Sequence, residues 1–485
     1  MEKECLPMNK EITRREFLKN SLYATVGMAA LCTFGKNLMP FEKTAVADSA
    51  IDATSLSITR DMSKCIGCGR CVEVCSNTQG LDILALGEKD GKTVSMLKSG
   101  ECLSETNCIG CGQCARVCPS GAITVKDGLT AVNEALNDST KYIVWQFAPS
   151  AQHIIGEEFR ILSGEDVSGK IASAAKLLGG KAYRTDFGAD ITIMEEAAEF
   201  ISCYESGTKK PFMTSCCPGW VNYVELNYPE LIPNLSSCKS PMQMLGALIK
   251  DYLPQKYNVN AEDIFHIAVM PCTAKKYEAS RAEMTVDGLK AVDAVITVTE
   301  FKNLLLSKNI NLASLPDGEF DTLFDNTSGG GRIFGASGGV CESAMRTVYF
   351  NMTGEESPQI EFTGLRGNSR VKTAEVVVGD KIIKACVVNG IGNIKEIADS
   401  IVNGTCDYDF IEVMACKGGC AGGGGTPILF GDEGVRHRGL YKYDAQSSIK
   451  SSHNNAALSE IYEEYLQNPC SDRAEILLHT TYKER

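Results

Sequence analysis

Histidine is scarce in this chain. The 485 residues include only His153, His266, His437, His453 and His479, and none forms an HxxxH pair. Histidine-ligated metal chemistry is therefore disfavoured. Basic charge is also in short supply, with 48 Lys and Arg against 61 Asp and Glu and a net charge of −13. That balance argues against nucleic-acid binding, which needs a basic face. It suits an acidic surface that steers a basic partner. Long apolar runs are missing too. The best, from Ser21 to Phe34, is too short for a membrane span. The glycine run at 422–425 lacks the GK[ST] ending of a phosphate loop. The length allows several domains, and 44% hydrophobic content with 22% charged residues fits a soluble globular protein.

Cysteine is abundant instead, with 22 residues, most of them in five short clusters. Two clusters are CxxCxxCxxxC runs: Cys65, Cys68, Cys71, Cys75 and Cys108, Cys111, Cys114, Cys118. This is the ligand spacing of two [4Fe–4S] clusters, in which the fourth cysteine of each run ligates the other cluster. One cluster is thus expected on Cys65, Cys68, Cys71 and Cys118, the other on Cys108, Cys111, Cys114 and Cys75. Pro119 follows Cys118 as expected, while Ser76 stands where a proline usually follows the first run. Gly67, Gly69, Gly110 and Gly112 let the backbone approach the sulfides. A zinc ribbon normally uses CxxC pairs rather than four-cysteine runs. The other three clusters are TSCCPGW (214–220), MPCTAKKYE (270–278) and EVMACKGGCAGGGGTP (412–427). Together they can supply four more thiolates from three loops. A thiolate-rich site fed by two electron-carrying clusters implies redox catalysis at a metal centre.

The amino terminus reads as a targeting segment. Arg14 and Arg15 precede the apolar stretch, and Ala45-Val46-Ala47 offers a cleavage site. Residues 1–47 are expected to be a twin-arginine signal peptide, which makes the twin-arginine translocase a partner and the periplasm or outer membrane face the destination. A basic amphipathic helix explains the arginines but not the cleavage site. Export usually suggests disulfides, yet the CxxC series is too tight for such a framework.

The expected fold is multidomain, α+β and α/β. Residues 57–126 form a ferredoxin-like domain and 142–427 an α/β catalytic domain. A small helical domain covers 431–485. Tyr142–Phe147, Phe265–Met270, Val292–Val298 and Phe410–Met414 read as buried strands. Thr192–Tyr204, Met242–Tyr252, Ile394–Val402 and His453–Gln467 read as helices. Two of the cysteine motifs directly follow a strand, where open α/β sheets place their sites.

The three separated motifs resemble the signature segments of [FeFe]-hydrogenases. So do GRIFGASGGV (331–340), FTGLRG (362–367), VVNGIGN (387–393), IYEEYLQNP (461–469) and LLHTTY (477–482). The resemblance covers nearly all of the chain after the signal, and its tail resembles the family's small-subunit domain. It implies an H-cluster: a [4Fe–4S] cubane joined through a cysteine to a diiron unit with CO, cyanide and a dithiolate bridge. By motif position Cys217, Cys272, Cys416 and Cys420 hold the cubane, and Cys420 bridges to the diiron unit. The four-glycine run then allows close backbone approach to the cofactor. Cys216 is the family's proton-relay thiol; Glu196, Ser236 and Glu199 match its proton path. Lys275 matches the cyanide-binding lysine. Met270 and Met414 match residues packed over the diiron unit, and Ala148, Pro149, Ser240 and Pro241 match the pocket around the other cyanide. Three positions depart from the usual pattern: Met242 replaces a glutamine, Cys341 a methionine, and Cys203 an arginine at the outer end of the proton path.

The implied reaction is the reversible conversion of H2 into protons and electrons, in the uptake direction for an exported enzyme. A c-type cytochrome or a ferredoxin would be the redox partner, and maturation factors would install the diiron unit. A hydrogenase-like scaffold without that unit is the alternative; Cys216, Lys275 and Cys420 argue against it.

Overall fold

The computed structural model describes residues 51–428 and 434–485. The signal segment at 1–47 lies outside the described residues. Among those described, no helix is long and apolar enough to cross a membrane.

The amino-terminal part is small and rich in cysteine. Strands β1 (Ile51–Asp52), β2 (Ile58–Asp61) and β5 (Ile123–Val125) make an antiparallel sheet, and β3 (Leu84–Lys89) pairs with β4 (Lys92–Leu97) in a hairpin. Its apolar core is thin and includes Cys71 and Cys75. A core this small usually needs covalent or metal staples.

The rest is built on two four-stranded sheets. The first runs β12 (Ala294–Thr297), β9 (Ile264–Met270), β6 (Tyr142–Phe147), β7 (Lys181–Arg184), all parallel. A small hairpin of β10 (Thr285–Val286) and β11 (Leu289–Lys290) precedes β12. The second sheet runs β13 (Val371–Val378), β14 (Lys381–Asn389), β15 (Phe410–Met414), β8 (Phe212–Met213), with β13 the antiparallel edge. Strands covered on both faces read as continuous apolar runs, and β6, β9 and β15 are buried almost throughout. The β13 edge alternates buried and exposed residues.

Tyr142–Phe147 and Phe410–Met414 match the sequence expectation, and the other two expected strands shift by one or two residues. The central helix begins at Thr185, seven residues before the expected start, and runs to Ser206. Gly207, at φ 71°, ends it in the left-handed conformation that suits glycine. The expected helix over 453–467 is divided into Ser452–Asn454, Ala456–Ile461 and a π turn at Tyr462–Leu466.

Residues 434–485 are helical but do not stand apart. Leu458, Ile461, Tyr462, Leu466, Ala474, Leu477 and Leu478 share one core with Val144, Phe187 and Leu245. Thr480 N–H donates to the Ser237 carbonyl at 2.7 Å, and Lys239 N–H to that of Leu478 at 2.8 Å.

Candidate active site and cluster cavities

Parallel strands point their carboxyl ends the same way, and both sheets open toward one cavity. Ala148, Pro149 and Ser150 follow β6; Pro271 and Cys272 follow β9. Cys216 and Cys217 follow β8, and Ala415 and Cys416 follow β15. Met270, Met414, Pro241, Met242, Lys275 and Cys420 complete the lining relevant here. Of the expected pocket residues, only Ser240 does not face the cavity. Its hydroxyl donates to Glu278 Oε2 at 3.0 Å, and Glu278 in turn pairs with Lys275 Nζ at 2.8 Å. Lys275 is buried, and its ammonium also donates to the Cys216 carbonyl at 3.2 Å. Burial works against this cation, but Glu278 outweighs it and raises the lysine's pKa.

The four thiols of Cys217, Cys272, Cys416 and Cys420 share this apolar cavity. Burial and neighbouring thiol charge push all but Cys217 up, and burial alone does so for Cys217. A cationic metal cluster relieves that penalty by coordinating thiolates. Cys217 also caps the Pro218–Asn227 helix, and Ala415 N–H donates to its sulfur at 3.4 Å. The donor set therefore fits an iron–sulfur cubane.

Two smaller cavities fit the ferredoxin-type clusters. One is lined by Cys65, Cys68, Cys71 and Cys118, the other by Cys75, Cys108, Cys111 and Cys114. This is the crossed arrangement read from the spacing. Gly67, Gly69, Gly110 and Gly112 all have positive φ between 66° and 75°. N–H groups of Ser95 and Ile123 each lie 3.4 Å from the sulfurs of Cys65 and Cys118.

The second of these cavities abuts the large one. Gln79 Nε2 donates to the Ala415 carbonyl at 3.0 Å, and Gln113 Nε2 to that of Gly422 at 2.7 Å. Thr273 Oγ1 donates to the Gly110 carbonyl at 2.7 Å. The four-glycine run serves this seam. A Cβ on Gly423 would lie 2.2 Å from the Pro271 carbonyl oxygen, and one on Gly424 would lie 2.2 Å from that of Cys111. The close approach observed is therefore to neighbouring backbone. Arg436 and His437 hold the same loop from the small domain, through the carbonyls of Ala421 (2.7 Å) and Gly418 (2.7 Å).

Cys216 is buried beside the cavity, and burial followed by the Glu196 charge pushes its thiol up. Glu196 is fully buried, and neither carboxyl oxygen has a hydrogen bond. Burial, reinforced by Glu199, raises its pKa to about 8, although Ser236 and the Ser215 backbone lie near enough to oppose the shift. Ser236 Oγ donates to Glu199 Oε2 at 2.7 Å. Burial also acts on Glu199, but Lys209 and the hydroxyls around it hold its carboxyl below the usual range. Sequence reasoning missed Lys209, whose ammonium pairs with Glu199 Oε1. It lies in the loop after the helix, outside any helical spacing rule. Cys203 is buried in an apolar cluster with Phe200 and Phe212. Cys341 is likewise buried, and its N–H donates to Glu412 Oε2 at 2.8 Å.

Comparison with known proteins agrees with this architecture. Residues 141–424 match the family described as iron only hydrogenase large subunit, C-terminal domain. The chain belongs to the iron-only hydrogenases. Residues 434–485 match the iron hydrogenase small subunit, and 64–122 the 4Fe-4S dicluster domain. The chain is 40% identical to iron hydrogenase 1 of Clostridium pasteurianum, over 93% of its own length and 79% of the relative's. It is 38% identical to the periplasmic [Fe] hydrogenase large subunit of Nitratidesulfovibrio vulgaris, over 76% and 86%. The solved apo [FeFe]-hydrogenase HydA1 of Chlamydomonas reinhardtii, a variant, superposes with a TM-score of 0.65 at 34% identity, covering 73% of this chain and 98% of that one. The iron-only hydrogenase described here is thus a hydrogen-converting enzyme with two [4Fe–4S] clusters and an H-cluster.

Proposed function

We propose that Cys217, Cys272, Cys416 and Cys420 hold the H-cluster cubane, with Cys420 bridging to the diiron unit. The observation that carries this reading is the convergence of four thiols, one buried ammonium and one further thiol, Cys216, on a single apolar cavity. When bound, the cluster supplies the metal site at which H2 is split or formed. Lys275, kept charged by Glu278, orients an anionic ligand through a charge-assisted hydrogen bond. Ala148, Pro149 and Pro241, with Met270 and Met414, shape the wall and exclude water. Ser240 acts one step back, by fixing Glu278.

Cys216 exchanges a proton with the reacting centre, and Glu196, Ser236 and Glu199 carry it outward. Glu196 suits this work because its raised pKa lies near neutrality, where a carboxyl both accepts and releases protons. Lys209 occupies the outer position on Glu199. Cys75, Cys108, Cys111 and Cys114 would hold one cluster and Cys65, Cys68, Cys71 and Cys118 the other, supplying electron transfer toward the surface where Cys68 and Ile66 are exposed.

Arg14, Arg15 and the Ala45-Val46-Ala47 site support export by the twin-arginine translocase to the periplasm or outer membrane face. There the enzyme would oxidise H2 and pass electrons to a c-type cytochrome, the acidic chain favouring a basic partner; a ferredoxin is the alternative. Maturation factors would supply the diiron unit. Iron analysis and infrared spectroscopy test the cofactor assignment. The matured protein should hold about 14 irons and show CO and cyanide bands. Loss of any one of Cys217, Cys272, Cys416 or Cys420 should remove those bands. Bands that survived every one of these substitutions would overturn the ligand assignment.

A further inference from the structure

Glu199 has a second set of partners that leads away from Lys209. Ser237 Oγ donates to Glu199 Oε1 at 2.9 Å and lies 2.8 Å from His479 Nδ1. His479 Nε2 lies 3.1 Å from Glu195 Oε2. Glu195 is fully buried and is fixed by Tyr462 OH at 2.6 Å and by Cys470 N–H at 2.6 Å. Cys470 adopts φ +56° to present that N–H, a conformation costly for a non-glycine residue. The outer side of the ring faces Glu475, whose Oε2 is 3.8 Å from Nδ1 and whose side chain is 52% exposed.

From this geometry we infer that the small-subunit domain provides a second proton outlet, running from Glu199 through Ser237 and His479 to Glu475. The inference rests on the proposed Cys216–Glu196–Ser236–Glu199 path and extends it. Glu195 holds the Nε2 proton in place, so Nδ1 is the atom that gains and loses one. For an inward proton, the half-exposed Glu475 side chain first swings in to close its 3.8 Å separation from Nδ1; its O–H then breaks as Nδ1–H forms and the ring becomes an imidazolium. Nδ1–H then breaks as Ser237 takes that proton, and the hydroxyl proton of Ser237 moves to Glu199. The ring returns to neutral and one proton has moved inward; H2 oxidation runs the same steps backward.

The groups facing the ring are Glu195 and Glu199 from the central helix, Cys238 from the 236–240 segment, and Cys470 and Glu475 from the small domain. Burial opposes the imidazolium, but Glu195, then Glu475 and Glu199, outweigh it and raise the pKa above the ordinary histidine value. Histidine is the side chain whose ordinary range is closest to neutral pH. The Lys209 ammonium, by contrast, is held on Glu199 and on the Leu235 carbonyl at 3.1 Å.

The experiment compares turnover of the matured holoenzyme across pH, normalised to its infrared bands. The variants are Lys209→Met, Ser237→Ala and His479→Gln, singly and with Lys209→Met. The half-exposed Glu475→Gln, made in the Lys209→Met background, guards against misfolding. Lys209→Met should retain turnover governed by one ionisation near the histidine range. Adding Ser237→Ala or His479→Gln should lower turnover by a further factor of about ten or more and abolish that ionisation. Glu475→Gln in the same background should slow turnover several-fold without changing the bands. Double variants that match Lys209→Met alone would overturn the outlet. So would a stoichiometric zinc that leaves with His479→Gln, because Nε2 would then be a ligand. Glu199→Gln separates the two readings: wild-type turnover there sinks the underlying path, whereas collapse there with inert double variants sinks only this branch.

Discussion

The ammonium of Lys209 rests on Glu199, ten positions before it, while Cys203, one helical turn past Glu199, is turned into apolar packing. The cation at the outer end of the proposed proton path thus comes from a loop.

Removing that cation should free the Glu199 carboxyl to hold its proton to higher pH. Lys209 helps depress the pKa of Glu199, so the pair's stabilisation is present above the unfolded carboxylate pKa and is lost as pH falls through the folded one. Lys209→Met should therefore lower the melting temperature most near neutral pH and little in acid. A melting-temperature deficit of the same size at both ends would sink this account of the pair.

Glu196 has the opposite sign. Its folded pKa is raised from 4.5 to about 8, so the folded state holds a proton that the unfolded chain has released. Its contribution is present below 4.5 and fades as pH rises toward 8. Glu196→Gln should accordingly gain melting temperature relative to wild type between these limits while losing turnover. A constant offset across that window would show that Glu196 does not hold its proton there.

Cys216→Ala removes a relay but no ligand. Infrared bands should persist while turnover falls by roughly two or more orders of magnitude. Undiminished turnover would mean that protons leave the cavity by another group.

Gly424→Ala tests the seam, because the new Cβ would lie 2.2 Å from the Cys111 carbonyl oxygen. Overpacking of this kind costs about 1–3 kcal/mol, and the melting temperature should drop accordingly. Gly424 is not among the positive-φ glycines, so an unchanged melting temperature in Gly424→Ala would mean that the seam accommodates the methyl group and the contact is not limiting.

Replacing Arg14 and Arg15 by Lys should leave folded, active precursor in the cytoplasm. Wild-type protein that stays cytoplasmic with residues 1–47 attached would remove both the location and the uptake assignment.

Cysteine spacing made the two groups of four cysteines that line the small cavities legible, because ligand geometry imposes a short, rigid repeat. Strands β6, β9 and β15 were legible because burial on both faces leaves uninterrupted apolar runs. The β13–β14 hairpin was not, since lysines at 372, 381 and 384 interrupt its pattern. Nor was β8, whose two residues, Phe212 and Met213, are too few to show a period. The motifs carried Cys216 and Glu196, but Glu195 and His479 meet only through a tertiary contact between segments far apart in sequence, and Lys209 reaches Glu199 from the loop beyond the helix end. No local rule joins residue 195 to residue 479.

The seam of Gln79, Gln113 and Thr273 has a consequence for timing. These hydrogen bonds tie the dicluster part to the very loops that carry Cys272, Cys416 and Cys420. These contacts would hold the proposed cluster sites at one separation, so that electrons need no swinging arm to pass between them. On the proposed paths, the steps left free to vary are the two ends: the encounter with a redox partner near Cys68, and the passage of protons past Glu199.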